Sequence, residues 1–170
     1  MTPQAVFSAA SVAAMVAWLL LLAAWAAPAD RWRECLRLLG GLTWLDAKQL
    51  TTGAAATDGQ RVIGVPKLQA NLGAEWDVPG VPGLAVDGRW VHTGASYANA
   101  TNTLRVPGWN RLDVGARYMT EVQGKLVTLR ARIDNLTNRN YWASVGGYPG
   151  SGYLVVGAPR TLSLSVSVDF

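Results

Sequence analysis

The last ten residues, TLSLSVSVDF, alternate strictly between two kinds of side chain. Apolar residues occupy the even positions from Leu162 to Phe170, and small polar or acidic residues occupy the odd positions from Thr161 to Asp169. A helix would spread these apolar residues around its whole surface, whereas a strand places them all on one face. The segment therefore predicts a β-strand with one apolar face and one polar face, followed by an aromatic residue.

Five earlier segments show the same period of two, at 38–44, 68–76, 84–90, 111–118 and 127–134. A soluble β-sandwich alternates in this way too. Segments of about ten residues, however, match the length that a tilted strand needs to cross a bilayer. Aromatic residues at strand ends are typical of membrane-interface girdles, and we expect this role for Trp44, Trp76, Trp90, Trp109, Tyr118 and Phe170.

The connections between these segments alternate in length. Short turns are predicted at 77–83 and 120–125, and long connections at 49–65, 95–108 and 136–157. Outer-membrane barrels have short turns at one end and long loops at the other. The predicted fold is therefore all-β: residues 37–170 form a partial antiparallel transmembrane β-barrel of about six strands, preceded by an apolar and helical N-terminal segment at 1–36.

The N-terminal segment has three interpretations. Residues 1–29 carry no charged side chain, and Val12–Ala27 approaches the length of a transmembrane helix. Ala24-Trp25-Ala26 has the small-x-small pattern of a signal-peptide cleavage site, but a positive n-region is missing. The Ala, Trp and Arg content is also typical of a different reading frame joined to the following strands. A signal peptide, an anchor and an out-of-frame segment all remain open.

The hairpin between the fourth and fifth segments allows a prediction of register. A four-residue turn at Glu121–Gly124, which ends in glycine, would pair Thr120 with Lys125. A register two residues away would set Arg117 opposite Arg130, and like charges directly opposed are unfavourable. We therefore predict the first register. It creates two pairs of opposite charge on the polar, lumen-facing side: Asp113 with Arg132, and Arg111 with Asp134.

Several function classes receive no support from the sequence. The net charge of +4 is not gathered into a basic run, which argues against nucleic-acid binding. The single Cys35 and the single His92 lack the partners that a disulfide or a metal site requires. No phosphate-binding loop or catalytic triad is recognisable, and the carboxylates lie in mid-strand beside arginines. We expect no enzyme, no catalytic residue, no metal site and no cofactor.

Three stretches of the chain resemble a known family. VPGWNRLDVGARY, TLRARIDNLTNRNYWAS and GAPRTLSLSVSVDF are similar to the C-terminal end of TonB-dependent outer-membrane receptors of the ferric-siderophore, ferrichrome type. The resemblance covers residues 38–170. It implies a location in the cell outer membrane, contact with membrane lipid, and binding of a ferric siderophore by the full-length receptor. It also implies that Phe170 acts as an assembly signal for the barrel-assembly machinery.

Members of this family also have a TonB box, a plug domain and a barrel of 22 strands, none of which we recognise here. The resemblance therefore implies a receptor fragment that is not transport-competent alone and that would reach TonB only through the missing N-terminal part. Two alternatives remain. The fragment would oligomerise in a structural or assembly role, or it would be a small membrane-anchored β-domain protein.

Aromatic and amide side chains in the long loops are candidates for contact with the siderophore. Such groups bind ligands by stacking and by hydrogen bonding. The alternative is that they pack the loops and anchor them at the membrane interface. The candidates are Tyr97, Asn99, Asn102, Tyr141, Trp142 and Tyr148. Because the siderophore itself chelates the iron, no protein ligand to the metal is expected.

Overall fold

The computed structural model describes residues 35–50, 52–148 and 151–170. Six strands form one antiparallel sheet in the order β1-β2-β3-β6-β7-β10, and each predicted segment corresponds to one of them. The pairs β4-β5 and β8-β9 form two small sheets within the long connections, which the sequence did not predict. The strands are β1 (Leu36–Trp44), β2 (Leu68–Asp77), β3 (Leu84–Thr93), β4 (Ser96–Tyr97), β5 (Arg105–Val106), β6 (Trp109–Val122), β7 (Lys125–Asp134), β8 (Trp142–Tyr148), β9 (Ser151–Val156) and β10 (Thr161–Val168).

The predicted apolar helix lies almost entirely outside the described residues, since β1 begins at Leu36. The candidate span Val12–Ala27 and the possible cleavage site both fall in the part that is not described. Within 35–50, 52–148 and 151–170, no helix has the length and apolar character needed to cross a membrane.

The registers give the six-stranded sheet two contrasting faces. One row of paired residues runs Leu38, Ala74, Gly88, Val114 and Ile133 on the side that we call the apolar face. An adjacent row runs Arg37, Glu75, Asp87, Gly115 and Arg132 on the opposite side, the polar face. The alternation of the sequence is therefore converted directly into a sheet with one apolar and one charged side.

The apolar face is exposed. Leu38 is 67% exposed and Leu164 is 74% exposed. The buried apolar side chains among the described residues are few, namely Trp76, Ala85 and Val106. A soluble sandwich would cover such a face with a second sheet. This sheet instead presents a broad apolar surface, of the kind that marks contact with a membrane or a partner.

The connections are sorted by length between the two ends of the sheet, as predicted. Residues 78–83 join β2 to β3, and two residues join β6 to β7, at one end. The connections 45–67, 94–108 and 135–160 lie at the other end. The last strand, β10, runs towards the end with the short turns, so Phe170 lies there. Its ring has the ammonium group of Lys125 at 4.4 Å from the centroid.

The predicted register of the β6–β7 hairpin is wrong by two residues. Val122, not Thr120, pairs with Lys125, and Arg117 lies opposite Arg130. The reason is the turn, which has two residues, Gln123 and Gly124, with φ of 54° and 76°. Two central residues with positive φ make a turn whose twist matches that of the strands. Turn geometry thus outweighs the weak cross-strand charge terms.

The aromatic residues lie near both ends of the strands, with one exception to the predicted girdles. Trp109 pairs with Thr93 in the register that places it on the polar face, on the same side as Arg111. Its ring packs against Tyr141 of the third long connection, with centroids 4.3 Å apart. Trp90 does occupy the apolar face, where its ring stacks on His92.

Candidate ligand-contact site between two long loops

The site is built on a buried carboxylate, Asp113, on the polar face of β6. Its side chain is fully buried. One oxygen, Oδ2, accepts hydrogen bonds from Nε and Nη2 of Arg111 at 3.2 and 3.0 Å. The other, Oδ1, accepts the backbone N–H of Asn135 at 2.9 Å. Both oxygens therefore accept hydrogen bonds, and these offset the free-energy cost of burying the carboxylate.

The two predicted charge pairs have different outcomes. Arg132 Nη2 lies 3.8 Å from Asp113 Oδ2, so this pair makes contact although its members are not cross-strand partners. Arg111 contacts Asp113 instead of Asp134. Asp134 is bound by Arg132, its neighbour two positions away on β7, at 2.9 Å. In the observed register, therefore, these arginines contact carboxylates diagonally across the two strands or on their own strand, and not in directly opposed pairs.

Asn135 closes the base of the third long connection. Its Oδ1 accepts the backbone N–H of Arg139 at 2.9 Å, and its Nδ2 donates to the carbonyl groups of Arg139 and Ala158 at 2.9 and 3.0 Å. Its φ is 53°, a conformation that asparagine tolerates better than most residues. Asn138 makes a second hydrogen bond between the two ends of this connection, since its Oδ1 accepts the N–H of Arg160 at 3.0 Å. The two asparagines therefore join the beginning of the connection to its end.

Tyr141 is held against the polar face by this base. Arg111 Nη1 donates to the Tyr141 hydroxyl at 3.3 Å, and the Tyr141 ring packs on Trp109. The ring also lies so close to Gly157 that any side chain there would overlap it. The backbone N–H of Gly157 donates to the Tyr141 carbonyl at 2.8 Å. A glycine at position 157 is thus required by this close approach.

A cavity of about 350 Å³ lies between the second and third long connections. Trp142, at the start of β8, is 39% exposed beside it. The lining is mainly apolar and aromatic, with one guanidinium, that of Arg139. Such a lining suits a planar or partly anionic group, which would stack on the rings and contact the cation. The lining residues are Pro107, Gly108, Trp109, Arg139, Asn140, Tyr141, Trp142 and Val156.

The structure gives the predicted amides Asn99 and Asn102 roles within the loops. Asn99 Nδ2 donates to the hydroxyl groups of Thr101 and Thr103 at 2.9 and 2.6 Å. Asn102 Oδ1 accepts the N–H of Arg61 at 2.7 Å, and its Nδ2 donates to the Arg61 carbonyl at 3.0 Å. Asn102 therefore joins the second long connection to the first by hydrogen bonds. These contacts correspond to the loop-packing alternative.

The predicted tyrosines are separated. Tyr97 lies in β4, beneath the guanidinium of Arg61 at 5.9 Å, and its carbonyl accepts the N–H of Gly64. Tyr148 ends β8, and its side chain lies outside the described part of the chain. Of the six predicted contact residues, the structure brings Tyr141 and Trp142 to one cavity.

Sequence reasoning did not identify Trp109 and Arg139 as part of this site. The signal for Trp109 was the alternation within its strand: Trp109 is two positions from Arg111, so both side chains lie on the same face of the sheet. Arg139 gave no such signal, because the turn made by Asn135 determines its position. Among the described residues, no group of three His, Cys, Asp or Glu side chains is placed to hold a metal ion. His92 Nδ1 instead lies at hydrogen-bond distance, 2.8 Å, from Asn110 Oδ1.

Comparison with known proteins gives consistent matches. A family model described as "TonB dependent receptor-like, beta-barrel" matches residues 14–136, and so includes part of the apolar segment 1–36. The ferrichrome receptor FcuA of Yersinia enterocolitica is 44% identical over 135 residues, which are 79% of this chain and 17% of that receptor. The probable TonB-dependent siderophore receptor PiuA of Acinetobacter baumannii is 28% identical over 151 residues, 83% of this chain and 19% of that protein.

Solved structures show the same likeness. The crystal structure of BauA, the ferric preacinetobactin receptor from Acinetobacter baumannii, matches with 48% identity and a TM-score of 0.72. That match covers 81% of this chain and 20% of the solved chain. The siderophore receptor PiuA from the same organism matches with 27% identity and a TM-score of 0.62, over 78% of this chain and 19% of that one. The chain thus spans about a fifth of the length of the relatives that it matches.

Proposed function

The chain belongs to the TonB-dependent receptor β-barrel family, and we propose that it forms part of the barrel wall of an outer-membrane receptor for ferric siderophores. The family consists of receptors and transporters, and we infer that this chain likewise has no enzymatic activity. Its strands would form a continuous section of the wall, because all six lie side by side in one sheet.

The observation that carries this proposal is the contrast between the two faces of the sheet. Leucines such as Leu38 and Leu164 are exposed on one side, and arginine–carboxylate pairs lie on the other. Exposed apolar surface is unfavourable in water by about 25 cal/mol per Å² relative to an apolar medium. Membrane lipid would cover the apolar face, and the aqueous interior of a barrel would solvate the polar face.

This arrangement also supports an orientation for the chain in the membrane. Outer-membrane barrels have short turns on the periplasmic side and long loops outside. Phe170 would then lie on the periplasmic side, where its fully exposed ring is available to the barrel-assembly machinery. An unpaired strand edge is a template for further pairing, which gives such a factor a second feature to engage.

The ligand-contact site would lie at the extracellular end. We infer that the cavity beside Tyr141 and Trp142 contacts one part of a ferric siderophore, whose own oxygens or nitrogens hold the iron. The relatives named as receptors for ferrichrome and for ferric preacinetobactin support this class of ligand. Transport, and contact with TonB, are proposed for a full-length receptor, since the chain spans about a fifth of its relatives.

Quenching of tryptophan fluorescence by lipid tests the proposed placement. Two variants of the full chain would each retain one tryptophan, either Trp44 or Trp109, and would be folded into vesicles of lipids with brominated acyl chains. We expect strong quenching of Trp44, which lies on the apolar face, and weak quenching of Trp109. Equal quenching of both, or stronger quenching of Trp109, would contradict the proposal.

A further inference from the structure

Another cavity, of about 180 Å³, adjoins the ligand-contact cavity, and residues from all three long connections line it. Gly64 comes from the first connection, Pro107 from the second and Ser144 from the third. Trp109 and Trp142 line both cavities. The two tryptophans therefore separate the place proposed for the ligand from the point where the three connections meet.

The strand that carries Trp142 depends on contacts with the neighbouring connections. Among the described residues, β8 pairs with β9 and not with any strand of the six-stranded sheet. The hydrogen bonds of Asn135 and Asn138 hold only the two ends of this connection. Whatever packs against β8 farther along therefore also determines where Trp142 lies.

Gly64 is the point at which the first connection packs against β8. A Cβ atom at position 64 would lie 2.5 Å from the carbonyl oxygen of Val145 and 3.4 Å from its carbonyl carbon. A carbon atom cannot approach a backbone oxygen this closely without displacing it. The Val145 carbonyl thus occupies space that only a glycine leaves free, and Val145 is three positions after Trp142 on the same strand.

The second connection holds Gly64 in this position. The backbone N–H of Gly64 donates to the Tyr97 carbonyl at 2.9 Å. Three positions earlier, the backbone of Arg61 makes two hydrogen bonds with the side chain of Asn102, at 2.7 and 3.0 Å. Gly64 cannot move away from β8 without breaking these contacts. A side chain added at position 64 would therefore displace β8.

We propose that Gly64 is a positioning residue for the ligand-contact site, although it does not line that cavity. By leaving room for the Val145 carbonyl, it allows the first connection to pack against β8 and so places the Trp142 ring at the cavity. Its effect on siderophore binding rests on the proposed function, whereas its effect on Trp142 does not.

Gly64→Ala in the full chain, folded in non-ionic detergent, tests the proposal, with Gly59→Ala as the matched control. Both glycines belong to the first connection and have similar positive φ values, 74° and 78°, so alanine causes similar backbone strain at both positions. A Cβ atom at position 59 would have no atom within 4 Å. Only Gly64→Ala therefore adds an overlap with β8.

The first measurement needs no ligand. The chain would be labelled with fluorotryptophan, and the fluorine resonance of Trp142 would be assigned by its loss in Trp142→Phe. We expect Gly64→Ala to shift this resonance and Gly59→Ala to leave it unchanged. In a separate titration, whichever of ferrichrome and ferric preacinetobactin binds the wild type should bind Gly64→Ala about tenfold more weakly, as for a broken aromatic contact.

Circular dichroism would establish that each variant folds. If Gly64→Ala does not fold, Asn102→Ala releases the first connection from the second instead, and the Trp142 resonance should shift in that variant. An unshifted resonance in Gly64→Ala, or equal shifts in Gly64→Ala and Gly59→Ala, would overturn the proposal, as would unchanged siderophore affinity in Gly64→Ala. A shift confined to Gly64→Ala, with no siderophore bound even by the wild type, would support the positioning of Trp142 and contradict the proposed function.

Discussion

Asp113 Oδ1 accepts the backbone N–H of Asn135 at 2.9 Å, across 22 positions of the chain. Both residues are buried. The bond joins the charged face of β6 to the base of the third long connection, so the sheet determines where that connection begins. Neither residue contacts the cavity between the loops directly, but Tyr141 and Trp142 follow the turn that Asn135 closes.

Replacement of Asn135 by alanine should release the base of this connection. The change removes the side-chain bonds to Arg139 and Ala158 and places alanine at a φ of 53°, which is unfavourable for it. We expect a loss of about 2–4 kcal/mol in the free energy of local unfolding. Hydrogen exchange of the backbone amides in 135–160 measures it.

Two further variants separate the causes. Asn135→Gly removes the same hydrogen bonds but tolerates the positive φ, so its loss should be smaller than that of the alanine variant. Asn140→Ala alters an exposed residue of the same connection and should change exchange little. Faster exchange of equal size in all three variants would mean that Asn135 has no special role.

Gly115 provides the space for an ion pair on the polar face. A Cβ atom there would overlap the carboxylate of Asp87, which reaches across to Arg132. We expect Gly115→Ala to lower the free energy of unfolding by about 1–3 kcal/mol, as measured by urea titration in detergent. Gly73→Ala is the control, since the nearest atoms to its Cβ would be at 3.6 Å, an ordinary contact. Equal losses would show that steric overlap with Asp87 is not the cause.

Asp58 should make the tip of the first long connection sensitive to acid. Its carboxylate accepts the backbone N–H and the hydroxyl of Thr52, and these hydrogen bonds lower the pKa of Asp58 below its ordinary value. The stabilisation is therefore full above the unfolded pKa of about 3.9, and is lost as the pH falls through the lower folded value. The chemical shift of the Thr52 amide proton should follow this titration. In Asp58→Asn the chemical shift of the Thr52 amide proton should no longer change over this pH range. An unchanged titration would show that another group causes it.

The alternation of the sequence was sufficient to predict the six strands of the main sheet, because a period of two places each apolar set on one face whatever the neighbours are. It also predicted the sorting of short and long connections. The β6–β7 register was wrong, because a four-residue loop was inferred from Gly124 and the avoidance of directly opposed like charges was taken to support it. The two-residue turn requires a positive φ at Gln123, and glutamine is not a residue type that indicates a positive φ in a sequence.

The candidate site was only partly predictable for a related reason. Tyr141 and Trp142 stand out as aromatic residues in a loop, and the structure brings them together. Asn99 and Asn102 have the same residue type as a ligand-binding amide, but Asn99 donates to threonine hydroxyl groups of its own loop and Asn102 bonds the backbone of Arg61 in the first long connection. The contact of Asn102 joins residues 41 positions apart in the chain, and no local pattern in the sequence indicates it.

Trp142 provides the test of the ligand-contact site. If a ferric siderophore packs in the cavity, Trp142→Ala should weaken its binding about tenfold or more, since a buried aromatic contact contributes on the order of 1–3 kcal/mol. Ferrichrome and ferric preacinetobactin would be titrated separately against the chain in detergent, because the relatives differ in the named ligand. Trp44→Ala is the matched control, as Trp44 lies on the exposed apolar face. A loss of affinity confined to Trp142→Ala would place the ligand at this cavity. Equal affinities in both variants would mean that Trp142 packs the loop and does not contact the ligand.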